Sequence, residues 1–147
     1  MMLSAVLIVS CANAQKVTEA QVPAKVKEAF ANKYPGTKVE KWEKENADYE
    51  AEFDLKDVET SAVFDADGVF KEMEQEIKLS GLPKGVAEYC KASFTGYKLS
   101  EAAVITDAAG KVMYEAEMSK GKDHFDALFD DKGNFVKKSE LKNEDKD

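Results

Sequence analysis

Tyr49-Glu50-Ala51-Glu52 returns unchanged as Tyr114-Glu115-Ala116-Glu117, and the reading of this tetrapeptide decides the fold. Carried forward, Tyr49, Ala51, Phe53 and Leu55 alternate with Glu50, Glu52 and Asp54, while Tyr114, Ala116 and Met118 alternate with Glu115, Glu117 and Ser119. A period of two puts the apolar set on one face of a strand and the polar set on the other. Each copy therefore predicts an antiparallel strand with one buried face and one wet face.

The similarity extends outward in both directions. Ala62-Val63-Phe64-Asp65 with Gly68 and Phe70 recurs as Ala127-Leu128-Phe129-Asp130 with Gly133 and Phe135, an offset of 65. Upstream, Val22-Pro23, Val26 to Phe30 and Tyr34 to Val39 match Leu82-Pro83, Val86 to Cys90 and Phe94 to Leu99 at an offset of 60, so the second copy has gained five residues in one hairpin, around Asp107 to Gly110. Val22, Val26, Ala29 and Phe30, like Leu82, Val86, Tyr89 and Cys90, have the spacing of a single buried helical stripe. Pro23 and Pro83 suit a first helical turn, and Pro35-Gly36 and Thr95-Gly96 suit a helix end. Asp65 to Gly68, Asp107 to Gly110 and Asp130 to Gly133 each read D-x-x-G, with Asp capping a turn and Gly taking the positive φ. The prediction is α+β: a helix and then about four antiparallel strands, twice over, with the helices on one face. The boundaries are 15–80 and 81–142, between a leader at 1–14 and a charged tail at 143–147.

At 147 residues, 44% hydrophobic and 34% charged, the chain has the composition of a folded domain. Its formal net charge of -8 repels phosphate backbones, which excludes nucleic acid as the expected partner. Residues 1–14 carry no charge and include an apolar run from Leu3 to Val9 before Ala12, Asn13 and Ala14, the pattern of a signal peptide. The run is too short to predict a transmembrane segment. Cleavage before Gln15 would release the protein into the periplasm or cell envelope, whereas Ile8-Val9-Ser10-Cys11 read as a lipobox would anchor it through a lipid on Cys11. Cys90 is then a lone thiol, expected to be a small buried hydrophobe.

Little in the chain favours catalysis. His124 is the sole histidine and lacks any nucleophile motif around it, and one His with one mature Cys makes no zinc site, so no catalytic residue, metal or cofactor is expected. In Asp65 to Gly68 the Gly is fourth, against sixth in a calcium loop, and the turn reading is preferred. Glu50, Glu52 and Asp54, Glu72, Glu74 and Glu76, and Glu115 and Glu117 form acidic stripes expected on the open sheet face, where they would be solvated or steer a basic partner. No sequence feature points to an apolar pocket around any of them. Trp42 has the phase of Glu40 and Lys44, opposite Val39, which places it on that open face as a binding anchor; a bulge before it would turn it into the core.

A helix before strands, with Trp42 in the first strand, Y-x-A-x-F at Tyr49, Ala51 and Phe53, and F-D-x-x-G at Phe64, Asp65 and Gly68, resembles the PepSY-like family of periplasmic proteins of Bacteroides-type bacteria. The likeness spans residues 22–142. It implies the fold of the β-lactamase inhibitory protein, two tandem helix-plus-sheet units forming one curved sheet of about eight strands. It also implies a non-enzymatic binding role, with an envelope peptidase as one candidate partner. The expected partner site is Trp42, Glu50, Glu52 and Asp54. The alternative is a carrier holding a small ligand between helices and sheet.

Overall fold

Val26 and Phe30, one helical turn apart, are 0% and 4% exposed in helix α1 (Ala24–Lys33), and they draw the helix onto its strands. Pro23 caps α1, its carbonyl accepting from Val26 N and Lys27 N. The helix ends where Tyr34 N donates to the Phe30 carbonyl at 2.8 Å and Gly36 takes φ +76°. The computed structural model describes residues 14–139 and 142–143; the leader apart from Ala14, Cys11 within it, and the tail beyond Asn143 lie outside the described residues. The chain divides into unit 1, running to Gln75 and including Thr106–Gly110, and unit 2, comprising Glu76–Ile105 and the residues from Lys111 onward.

In unit 1 the strands are β1 (Gln15–Val17), β2 (Lys41–Glu45), β3 (Asp48–Leu55), β4 (Val58–Asp65) and β5 (Phe70–Ile77), hydrogen-bonded in that order and antiparallel throughout. The alternation in β3 sets the register: Tyr49, Ala51 and Phe53 stand opposite Phe64, Ala62 and Thr60 and are buried with them. Phe30 fills the space above, its ring 4.9 Å from Phe53, 5.9 Å from Trp42 and 6.4 Å from Phe64. Lys56 and Asp57, both at positive φ, make the two-residue turn between β3 and β4. At the next turn Asp65 Oδ1 accepts from Asp67 N and Val69 N, each at 2.9 Å, as the D-x-x-G reading requires. Gly68, at φ +82°, lies so close to α1 that a Cβ there would stand 2.6 Å from the Lys25 carbonyl oxygen.

In unit 2, helix α2 (Val86–Ser93) presents Val86 and Cys90, both 0% exposed. Its start departs from the sequence expectation, since Gly85 at φ +92° precedes the first turn and leaves Pro83 outside the helix. Tyr89, expected in the buried stripe, is 37% exposed and stacks on Phe135 at 5.1 Å. The strands are β6 (Lys98–Asp107), β7 (Val112–Lys120), β8 (Asp123–Asp130), β9 (Phe135–Lys138) and β10 (Lys142–Asn143); β6, β7 and β8 are neighbours in that order, and the far edge of β8 takes both β9 and β10. Ala116 faces Ala127 as Ala51 faces Ala62. The fold is α+β with antiparallel strands. β1 and β10 come in addition to the expected strands, because two or three mostly polar residues are too short to show a period.

Candidate functional site

Glu50 and Glu52 project from β3 on the face opposite α1, because Tyr49, Ala51 and Phe53 take the helix side. Pairing brings them their neighbours. On β2, Glu43 stands opposite Glu50 and Lys41 opposite Glu52; on β4, Val63 stands opposite Glu50 and Ser61 opposite Glu52. Glu43, Glu50 and Glu52 each offer a carboxylate oxygen within 4.8 Å of the others. The Lys41 ammonium lies among them, 2.9 Å from Glu43 Oε1 and 3.0 Å from Glu52 Oε1.

Glu50 is 2% exposed. Burial pushes its carboxyl up to about 8; a hydrogen bond from Ser61 opposes the shift, and the charges of Glu52, Glu43 and Glu45 add to it. Burial likewise raises Glu52, against the pull of Lys41. For Lys41, burial alone would lower the ammonium, but its hydrogen bonds to Glu43 and Glu52 outweigh that and raise it. Three close carboxylates are a donor set for a hard divalent cation. Here a lysine already supplies the positive charge, so the arrangement reads first as an internal ion cluster.

These positions correct two expectations. Trp42 is 6% exposed in the helix-side core, edge-on to Phe30, and cannot be an open-face anchor. The chain bends at Glu40, whose N donates to the Glu52 carbonyl at 2.8 Å, and the bend shifts the phase so that Val39 and Trp42 both pack into the core. The acidic stripes are not a uniformly wet surface. Glu50, Glu74 and Glu115 are buried, Glu52, Glu72 and Glu117 are half-buried, and Asp54 and Glu76 are exposed. Alternation identified the face correctly but carried no signal that the face would be buried. The one available hint was Lys41, at the right spacing to pair with the carboxylates of the next strand.

Unit 2 buries acids on the corresponding strand face. Glu115 is 5% exposed, and Ser100 Oγ donates to Glu117 Oε1 at 2.7 Å. Asp126, opposite Glu117, is 0% exposed; its N donates to Ser139 Oγ at 2.9 Å, and that hydroxyl donates to Asp126 Oδ2 at 3.1 Å. Cys90 is buried as expected, and burial pushes its thiol up to about 11, which keeps it unreactive. His124 is half-buried on β8.

The family profile described as "Putative beta-lactamase-inhibitor-like, PepSY-like" matches residues 8–70 and, a second time, residues 54–137. The chain belongs to this PepSY-like family. No curated protein matches it. Among solved structures, the PepSY-like chain is similar to a DUF2874 family protein of Bacteroides uniformis, at 18% identity and a TM-score of 0.68, covering 80% of this chain and 88% of that one. A "putative periplasmic" protein of Bacteroides eggerthii matches at 19% identity and a TM-score of 0.69, with coverage of 80% and 88%. A BLIP-like protein of Bacteroides fragilis matches at 19% and 0.61, with coverage of 80% and 85%. At these identities the likeness concerns the fold. Among the described residues no helix is long and apolar enough to cross a membrane.

Proposed function

We propose that this chain is a non-enzymatic periplasmic or cell-envelope protein that binds another protein through the strand face opposite α1. The observation that carries the reading is the excess of carboxylates that reach solvent there: half-buried Glu43 and Glu52 around Lys41, with exposed Asp54 beside them. Such a surface attracts a basic partner and speeds its encounter. Membership of an inhibitor-like family supports restraint of a peptidase by steric cover as the mechanism. With Trp42 in the core, recognition rests on Glu52, Asp54 and their neighbours. The ring-filled interior above β3 favours this reading over a carrier with its ligand between helix and sheet. The two units, sharing the Tyr-Glu-Ala-Glu strand and the D-x-x-G turns, are proposed to be copies of one ancestral unit.

The test is capture from a cell-envelope extract on immobilised protein, wild type against Asp54→Lys, each shown first to melt at the same temperature. The wild type should retain a protein that raised salt releases, and the reversed charge should retain at least several-fold less of it. Equal retention by the two would sink the acidic face as the recognition surface.

A further inference from the structure

We propose that Glu50, buried beside Glu43 and Glu52, is the member of this carboxylate cluster that keeps a proton, and that unit 1 thereby carries a built-in response to pH. Three carboxylates with oxygens inside 4.8 Å cannot all ionise without strong mutual repulsion, and the cation bound among them is Lys41. That cation is committed to the outer pair, with Lys41 Nζ bound to Glu43 and Glu52. Glu50 is left with the hydroxyl of Ser61 and, at 2% exposure, with almost no water to stabilise a charge.

The groups around Glu50 do not relieve it. On β2 stand Lys41, Glu43 and Glu45, and on its own strand Glu52. On β4 stand Ser61 and Val63, and across β4 on β5 stand Glu74, opposite Ser61, and Glu72, opposite Val63. Beyond Glu43, on β1, stands the exposed Lys16, opposite Glu43 and one strand further from Glu50, so Lys41 is the positive charge bound within the cluster itself. Burial, with the neighbouring carboxylates adding to it, moves the titration of Glu50 from its ordinary 4.5 to about 8.

A carboxyl whose folded value is raised binds its proton more tightly in the folded state, so its contribution to stability is complete below the unfolded value and is lost as the pH rises through about 8. Acid therefore tightens this face and alkali loosens it, the reverse of an ordinary ion-paired carboxylate.

The experiment is the melting temperature of the full chain from acid to alkaline pH, for the wild type and for Glu50→Gln, which mimics the protonated acid in shape and hydrogen bonding. The wild type should lose stability between roughly pH 5 and pH 9 with about one proton more of linkage than the variant. The two curves should meet at the acid end and part at the alkaline end, with the variant higher. Parallel curves would overturn the proposal. A carboxyl carbon-13 titration of the wild type reads the proton directly: one glutamate resonance, missing in Glu50→Gln, should titrate well above the rest. If every glutamate titrates in its ordinary range, Glu50 holds no proton and the proposal fails. Lys41→Met supplies the third arm, since removing the cation bound to Glu43 and Glu52 should move that resonance further up; an unmoved or lowered midpoint refutes the proposal. No arm needs a partner, so the proposal stands or falls apart from the binding role.

Discussion

At equivalent points of their sequences, unit 1 carries Phe30, Trp42, Thr37 and Thr60 where unit 2 carries Cys90, Ala102, Tyr97 and Phe125. In unit 1 the rings radiate from the helix, with Phe30 between 4.9 and 6.4 Å from Tyr34, Trp42, Phe53 and Phe64. In unit 2 they gather on β8 and the end of α2, where Phe125 lies 5.0 Å from both Phe94 and Tyr97. Bulk absent from the helix and first strand is present on a later strand. Each core is filled, but from opposite sides, which is what a fold set by apolar pattern and total volume permits. Nothing requires the individual residues to be kept.

If volume in unit 1 is concentrated at Phe30, then Phe30→Ala should have the largest effect, a loss of about 3–5 kcal/mol in urea unfolding, with α1 amides losing hydrogen-exchange protection first. A loss below about 1 kcal/mol would mean that the ring cluster rearranges around the gap. The turn glycines give the next contrast. Gly68→Ala, with both a positive φ and a Cβ 2.6 Å from the Lys25 carbonyl oxygen, should cost more than Gly133→Ala, whose Cβ would lie 3.1 Å from Pro83 Cβ. Gly110→Ala, where a Cβ meets nothing within 4 Å, should cost least, about 1 kcal/mol from the left-handed backbone alone. Equal melting temperatures for the three variants would show that φ alone decides. Cys90→Ala should cost about 1 kcal/mol, well below Phe30→Ala, because a small thiol leaves a small cavity. In the wild type, alkylation of Cys90 should track global unfolding, and rapid labelling of the native protein would contradict its burial. Smallest of all, Lys25→Ala removes an exposed 2.9 Å ion pair with Asp67 and should leave the melting temperature unchanged.

The helix stripes, the Tyr-Glu-Ala-Glu strands and the D-x-x-G turns were legible because each is a local code: a period, or an Asp and a Gly at a fixed spacing. Trp42 was misplaced by alternation because one bend at Glu40 changes the phase, and a bend held by a hydrogen bond to another strand has no local signature. The burial of Glu50 was invisible for a different reason. Alternation states which face a side chain takes, and whether that face meets water depends on the surrounding fold. The ion cluster needed register as well, since Lys41, Glu43 and Glu52 meet only once β2 and β3 are aligned residue against residue. β1 was missed because Gln15–Val17 offers no apolar set to alternate.

The contrast between Gly68 and Gly110 bears on where this architecture tolerates change of length. A hairpin tip wedged against a helix carbonyl is pinned at its present size, so an inserted residue there would have to lift the helix. The Asp107 to Gly110 tip has open space around its glycine, and the 2.7 Å bond from Ala108 N to the Lys71 carbonyl ties it to β5. The sequence matches on either side of this hairpin change offset from 60 to 65, so the five extra residues fall in it. For an engineer the same hairpin is the natural grafting point, a loop in which a peptide epitope or a reporter tag can be carried while both cores stay as they are.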